Sequence, residues 1–249
     1  MKKILFLGLF SFLLAALWQL PLSYARPYAE KIVNGLKLKD VSGTVWQGET
    51  QHFTIQNTYL GKVKWRIKPL DSLFSLSLKT SFNIESKDLT ATGIAAINTN
   101  KKLILDNTQF DLNAKYLNNF QQNAKISGDI KGNITHAEIE KQKVPHINGT
   151  IDWKSGAIDS TALKLEPGDY HAVISPEAGD LNIILSSSDA PVELSGDIIL
   201  NKEWIYDTNL KTKSDNQTVA AVLSFIGKRQ ADGYTLIKKN GDLKPFINK

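Results

Sequence analysis

After residue 37 this chain alternates apolar and polar side chains with period two, in run after run, and few folds are compatible with that. Val63, Trp65 and Ile67 alternate with lysines and Arg66. Phe74, Leu76, Leu78, Thr80, Phe82 and Ile84 form a longer run of the same kind. Ile126, Ile130 and Ile134 share a parity with Gly128 and Gly132 between them, and Ile147, Ile151 and Trp153 repeat it. Val192 and Leu194 open another such run. A period of two belongs to strands with one buried and one wet face, the signature of antiparallel sheets. Pro69, Pro145, Pro167, Pro176, Pro191 and Pro245 fall between or beside these runs, where a residue without an N–H does least harm to a ladder. The pattern predicts a mostly β domain: an antiparallel, strongly curved sheet or a sandwich.

One helix interrupts this pattern. Ser214 with Gln217 three residues on reads as a capping box. Val219, Val222, Leu223 and Ile226 follow helical spacing, and Gly227 is placed to end the helix. Asn240-Gly241 reads as a hairpin turn. An internal echo links residues 41–48 with residues 147–156, each running apolar, polar, Gly, Thr, apolar, then Trp and Gly. It suggests a half-repeat near 41 and 147.

The N-terminus is a different material. Ile4 to Leu22 is nineteen residues without a charge. As a helix it spans about 28 Å, close to the core of a bilayer. Lys2 and Lys3 precede it, so the positive-inside rule puts Met1 in the cytoplasm and the bulk of the chain in the periplasm. Trp18, Tyr24 and Tyr28 suit the far interface. The competing reading is a cleaved signal peptide with Ser23 and Ala25 at the cut. The Arg26-Pro27 pair and the length of the run favour a retained anchor. The expected organisation is a cytoplasmic stub (1–3), a transmembrane helix (4–22), a juxtamembrane linker (23–37) and a periplasmic β-rich domain (38–249).

Chemistry-bearing patterns are sparse. The chain has no cysteine, so disulfides and Cys-ligated metals do not arise. His52, His136, His146 and His171 are scattered, and no metal or cofactor site is expected. No nucleophile elbow, dinucleotide fingerprint or phosphate loop occurs. Asp40, Glu49, Asp129, Asp152 and Asp197 sit at predicted strand edges and turns. The net charge of +5 is spread thinly, which argues against a nucleic-acid partner. The chain is therefore read as a non-enzyme. Trp65 and Trp153 read as core residues on alternating strands; for Trp46, between two glycines, core and interface readings both stand.

The segment Leu38 to Glu49, LKDVSGTVWQGE, resembles the signature of the type II secretion system protein N family through Gly43, Thr44, Trp46 and Gly48. Trp65 with Pro69, the second element Gly149 to Trp153, and the closing stretch with Gly227, Gly233, Tyr234 and Asn240-Gly241 resemble further features of that family in the same order. The resemblance covers most of residues 1–245. It implies an accessory inner-membrane component of the machine that exports folded proteins across the outer membrane of Gram-negative bacteria. It also implies a scaffold or assembly role and partners among other inner-membrane secretion subunits or the secretin. It supplies no residue with a secure role. The alternative is a lipid-handling module similar to the AsmA-like family, in which Gly-punctuated alternating strands form a half-open sheet with an apolar groove.

Overall fold

A computed structural model describes residues 2–69, 72, 77–120, 123–161 and 164–247. The chain divides into two compact units, residues 1–92 and 93–249. Both are built from antiparallel strands that follow one another in sequence.

The first unit begins with helices α1 (Lys2–Trp18) and α2 (Leu22–Ile32). Strands β1 (Lys37–Gly43), β2 (Gln47–Ile55), β3 (Thr58–Ile67) and β4 (Ser77–Glu85) then form a meander, followed by β5 (Leu89–Asn98), which runs into the second unit. The register sets Gly48 opposite both Gly43 and Trp65, and Trp65 opposite Phe82. Thr50 is fully buried and gives its hydroxyl to the Lys39 carbonyl at 2.6 Å. Among the described residues Leu22, Leu38, Val63 and Ala91 are the unit's buried apolar side chains, and Ser77 is buried with them. Of the long alternating run, Leu78, Thr80, Phe82 and Ile84 lie on β4, while Phe74 and Leu76 fall outside the described residues.

The expected unbroken helix over 4–22 is not what forms. α1 stops at Trp18, Pro21 is extended, and α2 starts afresh at Leu22. Proline lacks the N–H that would continue the ladder, and its fixed φ suits the start of the next helix. Among the described residues no helix is long and apolar enough to cross a membrane.

The second unit holds β6 (Leu103–Asn113), a 3-10 turn η1 (Ala114–Asn119), β7 (Ala124–Ile139), β8 (His146–Ser160), β9 (Lys164–Glu177), β10 (Asp180–Ser188), β11 (Val192–Leu200) and β12 (Ile205–Ser214). Helix α3 (Gln217–Ile226), β13 (Lys228–Arg229), β14 (Thr235–Asp242) and the short α4 (Lys244–Ile247) close it. Its strands are ordered β6-β7-β8-β9-β10-β11-β12-β14-β13. β14 pairs with β12 over its whole length, and α3 bridges the two while burying Val219.

Among the described residues the expected sandwich does not form in either unit, and within each unit the strands neither close into a barrel nor curl strongly. Up to β12 each strand takes its sequence neighbours as hydrogen-bond partners, so the meander stays in one layer, and only β13 and β14 exchange places; period two reports the wet and dry faces, not what covers the dry one.

Two local expectations are corrected. The capping box at Ser214 is absent, because Ser214 ends β12 opposite Val192 and its hydroxyl donates to the Pro191 carbonyl at 2.8 Å. Asn216 caps α3 instead, its Oδ1 accepting the N–H groups of Thr218 (3.0 Å) and Val219 (3.2 Å). The Asn240-Gly241 pair is not a turn but lies inside β14 opposite Asp207 and Tyr206. Gly241 leaves room for the Tyr206 ring, which a Cβ would approach to 2.6 Å. The actual turn leads from β13 into β14, where Gly233 donates to the Gln230 carbonyl (3.2 Å) at φ +83°.

Candidate interaction site at the signature hairpin

The hairpin between β1 and β2 contains Gly43, Thr44, Trp46 and Gly48, and it grips the junction between α1 and α2. Its shape begins with Gly43, whose φ is +84° and whose missing Cβ would strike the Gln47 carbonyl. Only glycine takes that conformation without cost. Thr44 then closes the turn from both sides. Its N–H donates to the Gln47 carbonyl at 2.9 Å, and its hydroxyl accepts the Gln47 N–H at 3.1 Å.

The turn's outward groups meet the end of α1. A helix leaves its last carbonyls without intrahelical donors. The indole Nε1–H of Trp46 donates to the Leu17 carbonyl at 2.9 Å, and the Val45 N–H donates to the Leu20 carbonyl at 3.1 Å. Pro21 bridges to Thr44. The Trp46 ring stacks on Trp18, with centroids 5.9 Å apart and planes 18° from parallel. Trp46 is thus a side-chain cap for a helix nearly thirty residues away in sequence.

The same turn is tied to the sheet. Trp65 on β3 donates its Nε1–H to the Val45 carbonyl at 3.0 Å, and the Ile67 N–H reaches the Trp46 carbonyl at 2.7 Å. Gly48 gives room to two neighbours at once: a Cβ there would come within 2.8 Å of the Trp65 ring and 2.9 Å of buried Leu22. α2 is fastened separately, its Glu30 carboxylate accepting the Leu38 N–H at 2.8 Å. Beside this clasp, on the polar side of β2, β3 and β4, lies a cavity of about 440 Å³.

The remaining signature residues lie in the second unit and form no joint site with one another. Gly149 sits in the interior of β8, packed against Asn133 and Ile134. Trp153, on the same strand, donates to the Ser127 carbonyl at 3.0 Å and lies against Tyr170. Gly43 to Trp46 form a turn and Gly149 to Trp153 a strand interior, so the two echoing segments occupy different places in their strands. Gly227 ends α3, its N–H bonded to the Leu223 carbonyl at 2.9 Å. Tyr234 gives its hydroxyl to Glu193 at 2.5 Å, with the Lys211 ammonium 4.3 Å from its ring centre. The Glu193 carboxylate holds the Tyr234 phenol above its usual range, since losing the proton would set two anions together.

Two polar pairs escaped the sequence reading. Asp106 and His136 face each other across β6 and β7, and Asp152 and His171 across β8 and β9. In each the imidazole Nδ1–H donates to the carboxylate, at 2.7 and 2.8 Å. Register creates these pairs, and no local motif announces them. Among the described residues no group of three or more potential metal ligands comes together.

Comparison with known families matches residues 34–238 to a model described as type II secretion system (T2SS), protein N. No curated protein and no solved structure matches the chain. The aligned segment begins just before β1 and contains the whole clasping hairpin, while α1 lies outside it.

Proposed function

This chain belongs to the type II secretion system protein N family, and from that premise we propose that it is an inner-membrane scaffold or assembly factor for export of folded proteins across the outer membrane. Family membership makes it a component of the secretion apparatus in the cell envelope. The family is not known as an enzyme family.

The observation that carries the finer reading is the clasp. The family's signature turn is used to hold the end of an apolar helix, and a β domain held that way is positioned, not merely tethered. α1 exposes Phe6, Leu9, Phe12, Leu17 and Trp18, which supports seating it in the lipid with the rest of the chain periplasmic. Other inner-membrane subunits and the secretin are the partners this placement favours.

The test is photocrosslinking in cells from positions beside Trp46, together with deletion of the gene. A secretion subunit caught at the hairpin and a secretion defect restored by the intact chain are expected. Normal secretion in the deletion strain with no subunit captured would overturn the reading.

One observation favours lipid handling as a second reading. In the second unit Ile134, Gly149, Ile174, Ile183 and Ile198 stand directly opposite one another across β7 to β11. Ile151, Ala172, Leu185, Gly196 and Leu210 form a parallel row on the same face. Photoactivatable acyl chains that label β9 to β11 in the full-length protein would support it, and labelling confined to α1 would count against it.

A further inference from the structure

The cavity beside the clasp has a chemistry of its own. Period-two alternation puts Lys62, Lys64 and Arg66 on one face of β3. The register sets Lys64 between Glu49 and Asn83, and Arg66 between Gln47 and Ser81. The single carboxylate in the cavity, Glu49, is engaged by Lys62 at 3.5 Å and by the Ser42 hydroxyl at 3.3 Å. Among the described residues Lys64 and Arg66 have no carboxylate within ion-pair distance, and both are exposed. Among the described residues, two cations without a carboxylate in ion-pair distance therefore border a hollow of about 440 Å³ whose polar lining is otherwise the Lys62-bound Glu49 and the neutral Ser42, Gln47, Ser81 and Asn83.

We infer that this hollow binds the phosphate of an anionic phospholipid headgroup. A guanidinium fork and an ammonium two residues apart suit a phosphodiester with one negative charge, and the neutral amides and hydroxyls supply donors around it. The position points to lipid. Arg66 is next to Ile67, whose N–H is bonded to Trp46, and Trp46 caps the end of α1. The cations are thus two short links from the point where an apolar helix ends, and a bilayer's headgroup layer lies at that depth. From Arg66 to Lys62 the strand advances about 13 Å, enough to cross that layer. Juxtamembrane basic groups are drawn to anionic leaflets. The inference rests on the reading of α1 as membrane-embedded.

The experiment uses the full chain in neutral detergent, titrated by calorimetry with dioctanoyl phosphatidylglycerol, dioctanoyl phosphatidylcholine, inorganic phosphate and a hexaglutamate peptide. Saturable binding of phosphatidylglycerol is expected, with the other three at least about tenfold weaker. The double variant Lys64→Gln, Arg66→Gln should lose about tenfold in affinity with its near-UV circular dichroism unchanged. If that variant does not fold, Arg66→Lys, which keeps the charge and loses the fork, should bind several-fold more weakly. Unchanged affinity in the folded variant would overturn the proposal, as would phosphate or hexaglutamate binding as tightly as the lipid. Alkaline extraction of cell membranes reads α1 separately. A chain that washes off yet binds the headgroup sinks the membrane placement alone, and one that stays in without binding sinks the headgroup site alone.

Discussion

Trp46 gives its indole N–H to the Leu17 carbonyl and its ring face to Trp18, and the two contributions can be separated by substitution. Trp46→Phe keeps a stacked ring and loses the donor. It should lower stability by about 1 kcal/mol, the net worth of one hydrogen bond. Trp46→Ala loses both and should cost about 1–3 kcal/mol. Thermal unfolding of the full-length protein in detergent checks the order: equal effects from the two variants would mean the ring stack adds nothing beyond the hydrogen bond, and an unaltered Trp46→Phe would mean the indole N–H contributes nothing. The sequence marked Trp46 as special through its flanking glycines but left its role undecided. The reason is physical: its partners, Leu17 and Trp18, are reached through space, and neither residue carries a local signal for it. Lys64 and Arg66 were visible only as the wet half of an alternating run, since their lack of an ion-paired carboxylate among the described residues depends on which residues β2 and β4 bring opposite them and on Glu49 going to Lys62.

Among the elements, α3 tests where the helix signal lies. Asn216→Ala removes the side chain that accepts two first-turn N–H groups and should cost about 1 kcal/mol, with faster hydrogen exchange at Thr218 and Val219. Ser214→Ala should leave exchange at those two amides unchanged. The β6–β7 pair carries a pH dependence. The Lys102 ammonium, bonded to Glu138, holds that carboxylate below its ordinary value of 4.5, with the neighbouring His136 adding to the effect. A depressed folded-state value contributes stability above pH 4.5, and that contribution is lost as pH falls through the depressed value. Lys102→Met should therefore flatten the acid limb of the stability–pH curve, and an unaltered limb would contradict the assignment. The sequence was most informative at this scale. Strands and α3 follow from periods of two and 3.6, which side-chain burial imposes directly. It misled where one residue type serves two ends: Asn240-Gly241 reads as a turn, yet Gly241 makes room for the Tyr206 ring.

For the whole molecule, α1 and the β units should be separable. Removing residues 2–18 deletes the helix but spares Pro21 and Leu22, which pack on the hairpin. The far-ultraviolet β signal should survive, and the chain should leave the membrane fraction. Removing residues 2–32 also takes Leu22 out of the core and Glu30 from β1, and should lower the melting temperature of the first unit further. Equal melting temperatures for the two truncations would show that α2 is dispensable. Mostly β architecture was legible in the alternation. The layer count was not, since strands in a meander and in a sandwich alternate alike. The N-terminal apolar helix was expected to run to Leu22 but α1 stops at Trp18, because hydropathy runs through Pro21 while the hydrogen-bond ladder does not.

The clasp also defines a load path. Traction on α1 along its axis reaches the hairpin through the Trp46–Leu17 and Val45–Leu20 bonds. It passes to β3 through the Ile67–Trp46 and Trp65–Val45 bonds. Leu17, Leu20 and Pro21 are each held by the hairpin, so the stretch between the two helices is fastened along its length. A displacement of the helix end is thus passed to β3 through these four bonds, which couple α1 to the sheet in addition to the backbone.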